Sequence, residues 1–280
     1  MNGDITRAGA LLKEKLGHHQ PKIAIMLGSG LNEIAAEHPS FGEISYAEIP
    51  GFPQPTTKGH AGKVTFGLVG GVPVLFLQGR LHYYEGLGME PMKVLIRTLK
   101  TIGIEILFLT NAAGSTNTTT PPGSLVAVND HINITQFDPL RGPNEDEWGP
   151  RFQDAAHLWN ADLRRHMKEA ALESDIKLGE GVFAMFSGPS FETAAEVRMV
   201  KMMGADTVGM SLVPEALIAN HCGLKVVGCS AITNLANGLT EEPLSHEHTL
   251  KWARVARDNM SKLFIAFIGK IAKTHLSAAA

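Results

Sequence analysis

Cysteine is almost missing from this 280-residue chain: Cys222 and Cys229 are the only two, and they form no CxxC pair. A reducing compartment with two buried thiols is the expectation. Charge is also sparse. With 19% charged residues and a formal net charge of −3, the chain has no basic footprint, which argues against nucleic acid and for a small-molecule partner. No apolar run reaches the roughly 18 residues of a membrane span. Met1-Asn2-Gly3-Asp4 lacks the basic-then-apolar pattern of a secretory leader, so no membrane association and a cytoplasmic location are expected. There is no internal repeat, low-complexity tract or linker, and Ala278-Ala279-Ala280 reads as a frayed tail. Catalytic signatures are missing too. Neither HExxH nor a GxSxG elbow occurs, and the His246-x-His248 pair has no ligand-spaced companions. Neither a metal nor a covalent nucleophile is expected.

What the chain does have is apolar content, 44% of its residues, enough for a full core. Short apolar runs alternate with amphipathic stretches. Lys22–Leu27 and Ile104–Leu109 read as strands buried on both faces, and Val64–Val69 and Val72–Leu77 as a hairpin about Gly70-Gly71. Further strands are expected at Ser124–Val128, Ile132–Ile134, Val182–Phe186, Thr207–Met210 and Lys225–Ala231. Helices are expected over 4–16, Met92–Ile102 and about Ala155–Glu173, and beginning near Phe191, Pro214 and His246. The last should turn Trp252, Val255, Phe264, Phe267 and Ile271 inward. Arg141–Pro150 reads as a charged loop. This alternation predicts an α/β fold in a single domain over 1–280, with a mixed, largely parallel β-sheet flanked by helices. In such sheets ligands bind beyond the carboxyl ends of the strands.

Six polar segments follow apolar runs: Gly28-Ser29-Gly30, Gln78-Gly79-Arg80-Leu81-His82, Thr110-Asn111-Ala112-Ala113-Gly114, Ser187 to Thr193, Gly209-Met210-Ser211 and Ile232-Thr233-Asn234. Taken singly, each has an ordinary structural explanation. Gly28-Ser29-Gly30 suits a tight turn, and Glu33 stands where a dinucleotide fingerprint needs its third glycine. Arg80 and His82 alternate in an extended segment and so share a face, where they could grip an oxyanion or simply lie at the surface. Ser211 could cap the helix opened by Pro214 or bind an anion there. Glu192, read in the first turn of its helix, could merely complement the dipole, and Asn234 could be a turn residue. As a pair, however, a carboxylate and an amide match the lactam edge of hypoxanthine or guanine, with Phe191 as a face for a flat ring.

These segments resemble those of the trimeric purine nucleoside phosphorylases. The resemblance runs from about Ile23 to His246. Beyond the segments above it includes Pro50-Gly51-Phe52-Pro53, Gly59-His60-Ala61-Gly62, Tyr84-Glu85-Gly86, Asp130-His131-Ile132-Asn133 and Val213-Pro214-Glu215, all in the family's order. It implies phosphorolysis of a purine nucleoside to free base and ribose 1-phosphate, in purine salvage. No cofactor is implied, and inorganic phosphate is a co-substrate. By resemblance, phosphate is held by Ser29, Arg80, His82, Ser211 and the amide of Ala112, with His60 close by. Tyr84 and Met210 border the ribose, and His246 bonds its 5′-hydroxyl. Phe191, Glu192 and Asn234 hold the purine. Asn234, His82 and His246 are the catalytic set. Phe152 closes the neighbouring site of a homotrimer.

Phe183 stands where some members have Tyr, and Ser115 where Gly is common. Leu235–Leu244 resembles bacterial members, some of which accept xanthosine. The implied substrates are therefore inosine and guanosine, with xanthosine and deoxy forms left open. A methylthioadenosine phosphorylase is the nearest alternative, but that group carries Asp where Asn234 stands and a smaller residue where His246 stands. An NAD-dependent oxidoreductase and a non-catalytic nucleoside-binding protein are the rivals from other classes.

Overall fold

The apolar run after Lys22 lies in the middle of the sheet. Strand β1 (Ile23–Leu27) is buried at all five positions and pairs in parallel with β4 (Val72–Gln78) on one side and β5 (Ile106–Ser115) on the other. Successive strand residues point to opposite faces, so Ala24 and Met26 enter one core and Ile23, Ile25 and Leu27 another. The first core is covered by α1 (Asn2–Leu16), α2 (Glu90–Thr101) and α5 (Val213–His221). The second is covered by α3 (Ala161–Glu173) and α6 (His246–Ile271). A third, small cluster packs α4 (Ala194–Met202) on the sheet. The computed structural model describes residues 1–241 and 244–276, without the side chains of 275 and 276. The tail Ala278-Ala279-Ala280 and part of Leu235–Leu244 lie outside the described residues.

The remaining strands are β2 (Ser40–Ser45), β3 (Lys63–Val69), β6 (Leu125–Asn133), β7 (Leu178–Met185), β8 (Thr207–Gly209) and β9 (Lys225–Leu235). All belong to one nine-stranded sheet in the order β2-β3-β4-β1-β5-β8-β7-β6-β9, and β9 also pairs with β5. The last five strands therefore close into a ring. The sheet is mixed, as expected, with five parallel pairings against four antiparallel ones. The β3–β4 hairpin turns at Gly70-Gly71, both at positive φ (57° and 85°), which glycine adopts without steric cost.

Several local expectations need correction. Helix α3 begins at Ala161, not near Ala155, because the Asn160 side chain accepts from the Leu163 amide and sets the cap there. Helix α4 begins at Ala194, where Thr193 and Glu196 form a capping box, so Glu192 lies before the helix and not in its first turn. Ser124–Val128 and Ile132–Ile134 are not two strands. They belong largely to β6, which is bulged between Val128 and Asp130. The polar residues Asn111–Gly114 and Thr233-Asn234 are not turns: β5 and β9 continue through them as paired strand. On α6 the inner stripe holds at Phe264, Phe267 and Ile271, but Val255 is exposed and Trp252 only half-buried.

The close approach of β1 to β5 depends on Gly28. Its amide donates to Thr110 Oγ1 at 3.0 Å, and that hydroxyl donates to Met26 O. A Cβ at Gly28 would meet Asn111 Cα at 2.7 Å and Thr110 O at 2.9 Å. Both are backbone atoms that can yield only if the strands part. Gly28→Ala is therefore expected to destabilise the protein by about 1–3 kcal/mol, the usual penalty of overpacking, read from the midpoint of urea unfolding.

Candidate active site

Above the ends of β1, β4, β5, β8 and β9 lies a cavity of about 280 Å³. All six polar segments of the sequence reach it. The chain leaving β1 contributes Ser29, the extended stretch after β4 contributes Arg80 and His82, the 3-10 turn Tyr83–Glu85 contributes Tyr84, and β5 contributes Asn111 to Gly114. Phe191 and Glu192 come from the segment before α4, Met210 and Ser211 from the exit of β8, Thr233 and Asn234 from β9, and His246 from the first turn of α6. Antiparallel pairing of Gly114 with Val208 sets the exit of β8 beside the end of β5.

The cationic wall is built from behind. Arg80 is 1% exposed. Its Nη2 donates to Thr110 O at 2.7 Å, whereas Nε and Nη1 have no hydrogen-bond acceptor among the described residues. His82 is fixed by Glu85, whose Oε1 accepts from the His82 amide at 2.7 Å and lies 3.2 Å from its Nδ1. With Nδ1 donating to that carboxylate, Nε2 is the ring nitrogen left over. Burial favours a protonated Glu85, but hydrogen bonds from His82 and Thr56 outweigh it and hold the carboxyl at about 2. Tyr84 stacks on the His82 ring at 4.8 Å, and its hydroxyl lies 3.2 Å from Thr57 Oγ1. Ser29 Oγ lies 3.2 Å from His60 Nε2. Ser211 is not the cap of α5, since the N-cap position falls to Leu212 at a φ of 72°.

The second group of polar side chains surrounds a bulge. Ala113 pairs with Ile232 and Gly114 with Asn234, so Thr233 is the extra residue on β9. Bulges re-aim side chains, often beside active sites. Here Thr233 Oγ1 donates to Asn234 Oδ1 at 2.9 Å, and Asn234 Nδ2 donates to Leu235 O at 3.0 Å. Those two bonds define the orientation of the amide and leave one N–H and one lone pair over. Gly114 makes room for it, since a Cβ there would meet Asn234 Nδ2 at 2.9 Å. Glu192 is buried, which raises its carboxyl pKa, and no donor reaches Oε1. Asn237 Nδ2 holds the Glu192 carbonyl at 2.7 Å. His246 Nε2 donates to Lys58 O at 2.9 Å.

Two of the expected site residues do not line the cavity. His60 stands behind Ser29 and the His82 ring, and Phe152 is 89% exposed beside the Arg151 guanidinium. Asn111, Thr57 and Glu85 carried no assigned role in the sequence reading. For Asn111 the sequence offered only an amide in a polar segment after an apolar run; the structure places it on β5 with neither amide atom hydrogen-bonded among the described residues. Thr57 and Glu85 offered no such signal, because their positions depend on contacts with Tyr84 and His82. His221 precedes Cys222, yet burial pushes that thiol up to about 11 and Cys229 up to about 12, so neither is a ready thiolate.

His60 generates a pH prediction. Burial first, and then the neighbouring His82 and Arg80, lower its pKa from 6.5 to about 3. Below pH 6.5 the unfolded chain takes up a proton that the folded chain refuses, so this site destabilises the protein as pH falls toward 3. Above 6.5 the effect is absent. Replacing His60 with Gln should flatten the acid limb of stability between those limits, measured by unfolding at successive pH values. An unchanged slope would contradict the neutral, enclosed imidazole.

Residues 22–269 match the family described as Phosphorylase superfamily. Purine nucleoside phosphorylase 1 of Bacillus subtilis is 41% identical over 96% of this chain and 99% of its own length. The purine nucleoside phosphorylase of Mus musculus is 42% identical over 77% of this chain and 76% of its own. Among solved structures, isoform 2 of purine nucleoside phosphorylase from Schistosoma mansoni, in complex with cytosine and ribose-1-phosphate, is 35% identical, with a TM-score of 0.89 over 96% of both chains. A schistosoma purine nucleoside phosphorylase in complex with hypoxanthine is 33% identical, with a TM-score of 0.88 over 96% of this chain and 97% of its own. On sequence and fold alike, the chain belongs to the phosphorylase superfamily, within its purine nucleoside phosphorylases.

Proposed function

We propose that this enzyme cleaves 6-oxopurine nucleosides, inosine and guanosine first among them, with inorganic phosphate, releasing the free base and ribose 1-phosphate for purine salvage. One observation carries the reading. A single cavity is lined both by a buried guanidinium whose Nη1 has no hydrogen-bond acceptor among the described residues and by a carboxylate–amide pair suited to a lactam edge. Arg80, Ser29, His82, Ser211 and the Ala112 amide hold phosphate, with His60 supporting Ser29. Tyr84, Met210 and His246 border the ribose. Phe191, Glu192 and Asn234 hold the purine. Breaking the glycosidic bond builds positive charge on the ribose and negative charge on the base. Phosphate stabilises the first and attacks C1′ from the opposite face, with inversion. The spare N–H of Asn234 stabilises the second, as donors in an oxyanion hole do. His82, oriented by Glu85, and His246, held by Lys58 O, complete the catalytic set. The chemistry requires no metal and no cofactor besides the phosphate co-substrate. The chain works as a single nucleoside phosphorylase domain in the cytoplasm.

The test is base release from inosine, guanosine, xanthosine and adenosine, each with and without phosphate. Inosine and guanosine should react only with phosphate. Adenosine, which presents a donor at position 6 where the others present an acceptor, should be strongly disfavoured, because polar groups of the site would be left unpaired. Asn234→Asp should lower kcat for inosine by roughly 10²–10³, the cost of losing one oxyanion donor, and raise the relative rate on adenosine. Release without phosphate, or an unchanged preference in the variant, would refute these assignments.

The chain also forms a homotrimer in which Phe152 closes the neighbouring site. Its 89% exposure on an isolated subunit is unusual for a large aromatic residue. Phe152→Ala should raise KM for the nucleoside while leaving the thermal midpoint unchanged. Sedimentation showing an active monomer would count against the assembly.

A further inference from the structure

Behind Arg80 lies a group with no part in the scheme above. Glu215, in the first turn of α5, is 2% exposed, and its Oε1 lies 3.4 Å from Arg80 Nε. That distance suits charge pairing, yet among the described residues neither Glu215 oxygen accepts a hydrogen bond. Carboxylates in a first helical turn ordinarily sit at the surface, where water solvates them. This one faces a space of about 10 Å³ shared with Arg80, Met26, Pro53, Leu81 and Met92, barely the room that one water occupies. The neighbouring Tyr46 cannot serve as a second anion: burial raises its pKa, and its hydroxyl donates to Gly79 O at 3.0 Å. Arg80 borders both this space and the catalytic cavity, whereas Glu215 borders only the inner one.

Resting on the phosphorolytic reading of the cavity, we propose that Glu215 is the resident counterion of Arg80 and a positioning residue that weakens the grip on phosphate. A buried guanidinium needs a compensating charge. Without phosphate, Glu215 supplies it. With phosphate bound, two anions share one cation, and their mutual repulsion lowers the affinity and eases release.

The experiment measures inorganic phosphate alone, by calorimetric titration and by thermal unfolding with and without it, on the wild type and Glu215→Gln. The variant should bind phosphate roughly ten-fold more tightly, the scale of one charge removed at protein-like dielectric. It should melt lower than wild type without phosphate and gain more from saturation, since phosphate then provides the missing counterion. Unchanged or weaker phosphate binding overturns the proposal, as does an equal loss of melting temperature with and without phosphate, which a merely structural role would produce. If Glu215→Gln folds under neither condition, the double variant Arg80→Met with Glu215→Leu decides. Recovery of folding in it supports the counterion role, because the uncompensated cation is gone, and failure to fold overturns it. A wild type that phosphate does not stabilise at all refutes the phosphorolytic reading itself and this proposal with it.

Discussion

Strand β5 hydrogen-bonds to three others, and the site depends on that arrangement. Its first half is held between β1 and β9, and its last two residues pair with β8. It thus joins the open half of the sheet to the closed ring. A strand shared in this way has little freedom of register, because a slip of one residue would turn Ile106 and Phe108 out of one core and Leu107 and Leu109 out of the other. The residues at its end, Asn111 to Gly114, are placed with the same rigidity, and the neighbouring strand ends are placed relative to them.

Several unpaired polar groups converge on the cavity wall. Buried polar groups normally find partners, and an unmet one costs about 1–3 kcal/mol. Among the described residues, Nη1 of Arg80, both amide atoms of Asn111 and one oxygen of Glu192 lack one, and all three residues line the same cavity. Convergence of such groups is the expected signature of a site whose partners arrive with a ligand. The supporting contacts are satisfied by contrast: Glu85 on His82, Thr233 on Asn234, Asn237 on the Glu192 carbonyl and Lys58 on His246. Orientation comes from these neighbours, and the binding capacity remains unspent.

Much of this was legible in the chain. The continuous apolar runs, the Gly70-Gly71 hairpin and the helix stripes follow from side-chain periodicity and glycine chemistry, which are local properties. So does the residue chemistry of the six polar segments, every one of which reaches the cavity. Misplaced boundaries, such as Ala155 for Ala161 and Phe191 for Ala194, arose where a capping side chain outranked hydrophobic pattern. Val255 is exposed despite its place on the stripe, because a helical stripe identifies a face without saying how far the packing partner extends along it.

Side-chain order alone accounts for most of the elements, the burial of β1 and β5 on both faces and the inventory of polar side chains, since each depends on neighbours a few positions away, whereas β2 left no such pattern. Only the tertiary structure decided that five strands close into a ring, that Asn111 and Asn234 sit on continuing strands and not on turns, and that Thr233 is the bulged residue beside Asn234. It also decided that His60 lies against Ser29 and that Glu215 stands behind Arg80. Those are pairings across long sequence separations. Local pattern carries no information about them, because they arise when strands choose partners and burial forces distant charges together.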